Sequence, residues 1–94
     1  MPGSAGHRDI GFRTQMQRAS ISVMNNIAEG FERSTRKDFA HFLDLAKGSC
    51  GEVRSMLYVA EDLNYLTSDN ALMLRERAET LSRGIAAFTN HLRP

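Results

Sequence analysis

From Phe12 onwards, apolar residues recur every three or four positions in three separate runs, the spacing of helices that bury one side. The clearest run is the middle one. Phe39, Phe42, Ala46, Ser49, Val53, Met56, Ala60 and Leu63 form a heptad-like seam, widened by Leu43, Cys50 and Leu57 so that it faces two neighbours. Leu74, Ala78, Leu81, Ile85, Phe88 and Leu92 repeat the spacing in the last run, and Phe12, Met16, Ala19, Val23, Asn26 and Gly30 carry it in the first. The pattern predicts helices over about residues 12–32, 36–65 and 68–92, preceded by a loop-like segment over residues 1–11. Thr35 is placed to cap the second helix, with Asp38 in its first turn. Thr67 or Ser68 serves the third, with Asp69 close behind. Pro2 and Pro94 stand at the extremes, and neither hairpin turn pairs nor strand-like alternation occur. The chain is therefore expected to be one all-α domain over residues 1–94, a helical bundle with three long helices.

Two positions in the first seam are not apolar. Asn26 must find a hydrogen-bond partner there, which costs stability and penalises wrong registers. Gly30 continues the line with no side chain, allowing close approach near the helix end. Beside them Arg18, Ser22, Asn25, Glu29 and Arg33 fall in one narrow wedge at about 100° per residue. Arg18–Ser22 and Glu29–Arg33 are spaced to pair along a solvated polar stripe, or to form a partner-binding edge. A third side of the helix, with Ile21, Met24 and Ala28, is apolar as well. A surface helix with two apolar sides calls for a further covering helix or subunit, so these three residues are the expected oligomer face.

Composition narrows the field without choosing a function. Twelve Lys and Arg against eleven Asp and Glu leave a net charge of +1, which requires neither a nucleic acid nor a membrane as partner. The cations lean to the first half, with seven against five acids over residues 1–47 and five against six over residues 48–94. The single cysteine, Cys50, excludes an internal disulfide and fits a cytoplasmic setting. No apolar run approaches a signal-peptide core or a membrane span, so no membrane partner is expected.

Chemical candidates are sparse. His7, His41 and His91 are too scattered for a metal motif. Cys50 lies on the core seam with no evident cationic neighbour, the setting of an inert packed thiol. Ser49 in the same seam is expected to bond the preceding turn or a facing Asn. Glu29 and Glu52 would need an enclosed pocket for acid–base work, which slender bundles seldom provide. Gly48 and Gly51 sit inside a helix and cradle no phosphate; with Ser55 they form a small surface that would admit a neighbouring helix. Catalysis, cofactors and metals are accordingly not expected. Arg33, Arg36 and Lys37, in what reads as a loop, are candidate phosphate contacts if an assembly repeats them, and Arg13, Arg18, Lys47 and Arg54 come next.

The stretch from Gln15 to Leu57 resembles the four-helix-bundle proteins known as 23S rRNA-intervening sequence proteins. The resemblance rests on Gln15, Arg18-Ala19, Ser20-Ile21, Asn26-Ile27-Ala28-Glu29-Gly30, Arg33, Phe39, Phe42-Leu43, and Gly48-Ser49 with Glu52, followed by the turn "NYLTSDN". It covers roughly residues 8–92 and is most specific at Asn-Ile-Ala-Glu-Gly. The resemblance implies an antiparallel up-and-down bundle assembled into a homopentameric ring, with no established enzymatic activity. It also implies kinship with accessory variability proteins of retroelements, which form similar rings and bind a reverse transcriptase and nucleic acid. Such proteins carry one more helix, with a Leu-x-Val-Trp-like segment, ahead of the matched part, so this chain reads as starting after it. The expected function is that of a non-catalytic, oligomer-forming scaffold or adaptor. The alternative is a ring that binds RNA, DNA or nucleoprotein through repeated basic loops.

Overall fold

The structure is a computed structural model and describes residues 8–94. It consists of α1 (Ile10–Phe31), α2 (Arg36–Asp62) and α3 (Ser68–Leu92), with no strand among the described residues. Each helix starts on a side-chain cap: Asp9 accepts from the Phe12 amide at 2.9 Å, Thr35 from Asp38 at 3.1 Å and Thr67 from Asn70 at 3.2 Å. Caps of this kind contribute about 1 kcal/mol each. The Asp9 cap makes Ile10 and Gly11 helical, so α1 begins ahead of the position that apolar spacing predicts. Residues 1–7 of the segment expected to be loop-like lie outside the described residues.

α2 ends earlier than its apolar pattern suggests, and the reason is local. Asn64 takes the left-handed conformation at φ 61°, a geometry that Asn tolerates better than most side chains. Its amide bonds Glu61 O at 3.0 Å, and the Tyr65 amide bonds Ala60 O at 2.8 Å, the paired closure of a Schellman motif. Tyr65 then turns back to α1, its hydroxyl donating to Asp9 Oδ2 at 2.5 Å and its ring meeting Phe12 edge-on at 5.2 Å.

Phe12 beside Tyr65, Ser22 facing Ser49 and Gly30 against Phe39 mark the course of α1 along α2. On the other flank Arg36 meets His91, Cys50 meets Ala78 and Arg75 pairs with Glu61 at 2.6 Å. The Arg75 guanidinium also lies over the Tyr58 ring, 4.1 Å from its centre. α2 is thus the middle helix, and α1 and α3 pack on it while scarcely touching each other. The Cα envelope measures 49 × 22 × 12 Å, which is about one helix thick. The radius of gyration, 15.0 Å, exceeds the roughly 12 Å of a compact domain this long.

Small side chains hold this layer together. Among the described residues six of the eleven buried apolar ones are alanines, and Leu43 is the one large side chain with almost no exposure. The helix faces are turned from the expected seams. In α2 the buried line is Ala40, Leu43, Ala46, Cys50, Leu57 and Ala60, while Leu63 stays exposed beyond the helix end. In α3 it is Ala71, Ala78, Ile85 and Thr89, leaving Leu81 and Phe88 exposed. Periodicity located the apolar sides; which half of each side is covered depends on α3 packing against one helix instead of two. Thr89 sits in that line at no polar cost, because its hydroxyl donates to Ile85 O at 2.8 Å.

Gly30 is buried where α1 crosses the start of α2, and a Cβ there would stand 2.7 Å from Phe39 Cδ1 and 3.1 Å from Phe42 Cβ. A methyl group must push aside a ring that itself packs on Phe31 and Phe88. Gly30→Ala is therefore expected to destabilise by about 1–3 kcal/mol. Gly48→Ala, at a site with nothing within 4 Å, is expected to stabilise by about 0.5–1 kcal/mol. Urea unfolding followed by circular dichroism reads both, and equal effects of one sign would contradict this packing.

Candidate functional site

Because α1 and α3 diverge above α2, a trough of about 720 Å³ opens between them. Cys50, Val53, Leu57 and Ala60 form its floor; Phe12, Met16, Val23 and Met24 stand on the α1 side, and Leu74, Ala78 and Leu81 on the α3 side. Tyr65 and Leu66 close one end. Further along the same flank Phe39 touches Phe31 at 5.1 Å and Phe88 at 5.2 Å between ring centres, extending the apolar strip. The charged lining residues are Arg13 and Arg77. A surface so apolar is of the kind that buries another helix.

The residues of the expected oligomer face divide across this geometry. Met24, 70% exposed, lines the trough. Ile21 and Ala28 are exposed on the edge of α1 turned away from α2, together with Ile10. Leu74 and Leu81, read from sequence as core, belong to the opposite wall of the trough. Gly48, Gly51 and Ser55 form no close helix contact within the chain, for a Cβ at either glycine would meet open space.

Asn26 is half-buried at the α1–α2 contact, and its amide nitrogen donates to Ser22 O at 2.8 Å and to Ser22 Oγ at 3.1 Å. Ser22 Oγ in turn shares a 2.8 Å hydrogen bond with Ser49 Oγ of α2. Ser22 therefore leaves the expected polar stripe: it faces inward and pairs with Ser49 and Asn26 instead of Arg18. The facing partner expected for Ser49 is a serine, with Asn26 one bond behind it. Arg18, Asn25 and Glu29 remain exposed. Glu29 pairs with Arg33 at 3.1 Å, and the Arg33 guanidinium lies 4.6 Å from the centre of the Phe42 ring.

The three candidate phosphate contacts are not one loop. Arg33 lies in the turn and is engaged by Glu29 and Phe42, whereas Arg36 and Lys37 open α2. Arg36 Nη2 donates to His91 O at 2.8 Å, joining the start of α2 to the end of α3. Arg93 binds the Asp44 carboxylate, which raises the guanidinium pKa through that hydrogen bond. Sequence reasoning missed these links, since no spacing announces a contact between residues half a chain apart. His7 lies outside the described residues, His41 is exposed beside Phe42, and no group of metal-binding side chains occurs among the described residues. Glu52 is exposed and lines no part of the trough.

Cys50 lies buried on the trough floor, its thiol donating to Ala78 O at 3.2 Å. Burial pushes its pKa up; Arg54, one turn on, opposes this more weakly, a cationic neighbour that the sequence reading overlooked. A raised pKa is that of a protonated, unreactive thiol.

The described residues are all-helical with an apolar trough on one face, and among them no helix is long and apolar enough to cross a membrane. The profile of the 23S rRNA-intervening sequence protein family matches residues 4–87, and the chain belongs to that family. No curated protein and no solved structure matches the chain.

The thiol supplies a test of the floor. Its folded pKa exceeds its unfolded value, so the stability it contributes is whole below about pH 8.5 and declines as pH rises through the folded pKa. Stability measured from pH 8 to 10 is expected to fall less steeply in Cys50→Ala than in the unchanged protein. An aromatic disulfide reagent at pH 8 is expected to modify Cys50 far more slowly in buffer than in urea; equal rates would show the thiol to be accessible.

Proposed function

We propose that the protein is a non-catalytic assembly module, a scaffold or adaptor whose chains associate through the surfaces that its single helical layer leaves open. The observation that supports this most is the trough. Domains reach stability by stacking at least two layers around a core, and here α1, α2 and α3 form one. Among the described residues twelve large apolar side chains remain exposed, including Met24, Phe31, Leu81 and Phe88 on the trough side. A fourth helix in the trough would complete an antiparallel up-and-down four-helix bundle, the arrangement expected from the resemblance. Ile21 and Ala28, on the free edge of α1, are then left to face another copy. In this reading the assembly is a homo-oligomer, with five copies the expected number, it works in the cytoplasm, and it needs no cofactor.

Within that assembly the Ser22–Ser49 bridge acts as a register pin. Sliding α1 along α2 would leave the serine hydroxyls and the Asn26 amide unpaired in a half-buried contact. Asn26→Leu is expected to keep helicity while broadening the distribution of oligomers, and unchanged assembly with unchanged stability would remove the pin from the account.

Sedimentation equilibrium at micromolar concentration tests the central claim. The expected mass is a multiple of the 10.5 kDa chain, with Met24→Glu and Leu81→Glu each shifting the distribution towards monomer while helicity is retained. A well-folded monomer in the unchanged protein would overturn the proposal.

A further inference from the structure

At the end of the layer where α2 begins and α3 finishes, the helices frame a half-open cleft of about 700 Å³ lined by Arg36, Lys37, His41, Leu92, Arg93 and Pro94. Three cationic side chains line it, and one of them, Arg93, is paired with the Asp44 carboxylate behind the lining. Arg36 is steadied by its bond to His91 O and Arg93 by Asp44, yet a guanidinium carries five N–H donors and both retain others for a ligand. Lys37 and the His41 ring nitrogens make no hydrogen bond or ion pair among the described residues.

The placement of these cations is costly for the helix that carries them. Arg36 and Lys37 occupy the first turn of α2, where the helix dipole favours negative charge, and the last turn of α2 holds no basic residue. Arg36 recovers part of that cost from the carbonyl end of α3, and Asp38 in the same turn offsets a further part, but Lys37 makes no ion pair of its own among the described residues. A bound anion would offset it, and planar guanidinium forks beside a mobile ammonium match the oxygens of a phosphate.

We propose that this cleft is a phosphate-binding site, formed by Arg36, Lys37 and Arg93 with His41 at its edge. It goes beyond the assembly reading and does not rest on it. Arg33 is outside the site, held by Glu29 and Phe42. The phosphate is carried either by a nucleic-acid backbone or by a small polyphosphate; both present the same oxygens. No Phe, Tyr or Trp lines the cleft and His41 is its one ring, so binding is expected to depend little on sequence.

Titration at low ionic strength with inorganic pyrophosphate, and separately with a labelled single-stranded RNA of mixed sequence, tests the site. Lys37→Gln, a change at an exposed side chain, is expected to weaken binding about tenfold, as are Arg36→Gln and Arg93→Gln. Arg83→Gln, an exposed α3 cation paired with Glu79 away from the cleft, is expected to leave it unchanged. RNA that binds and is displaced by pyrophosphate supports the site with nucleic acid as the source; pyrophosphate binding without RNA binding supports it with a small phosphate. Failure of both probes to bind, or binding undiminished in Lys37→Gln and Arg36→Gln, overturns it. Lys37 points from the side of α2 opposite the trough floor, so sedimentation of the same variants separates this result from any failure of assembly.

Discussion

The packing of α2 against both neighbours through alanines is the interaction on which the rest depends. Ala40, Ala46 and Ala60 let the outer helices come close, and Leu43 fills what space remains. Close contact on small residues leaves the bulky ones no interior to occupy. Some, Met24 and Leu81 among them, stand on α1 and α3 where two helices that scarcely touch leave a channel between them. The trough is a geometric consequence of how the middle helix is buried.

The polar contacts follow the same division. Where α1 lies on α2, Ser22, Ser49 and Asn26 satisfy one another at a half-buried seam, so polar residues stand there without an unpaired group. Where α3 lies on α2, one neutral bond, Cys50 to the Ala78 carbonyl, stands in the middle and the charged links lie near the ends: Arg75 with Glu61, Arg36 with the His91 carbonyl, Arg93 with Asp44. An exposed ion pair such as Arg93–Asp44 adds little stability by itself. The effect of the Arg36 and Arg93 links is positional, since they join the start of α2 to the end of α3.

Much of the fold was legible in the sequence. The three helices, the Thr35 and Thr67 caps and the need for a residue without a side chain at position 30 all followed from spacing and elementary backbone chemistry. What spacing could not supply was rotation. A heptad pattern says that Leu74, Leu81 and Phe88 share a side of α3, but whether that side meets a partner within the chain depends on where α1 lies. For the same reason Ser22 looked like part of a solvated stripe; its partner is 27 residues away on another helix. The Asn64 turn was readable only as a connection, because its left-handed closure is a matter of backbone angles.

The absence of extensive contact between the outer helices also bears on motion. Where nearly all helix-to-helix contact runs through the middle helix, the edges are coupled mainly by way of it, as neighbouring units are in a repeat protein. α1 can lift from α2 without disturbing α3, and the reverse holds equally. Opening then proceeds in separable units, with backbone amides of α2 the slowest to exchange with solvent and those of the outer helices exchanging through partial opening. A chain built this way has a graded native state, in which an edge can loosen to admit an incoming helix while the middle stays formed.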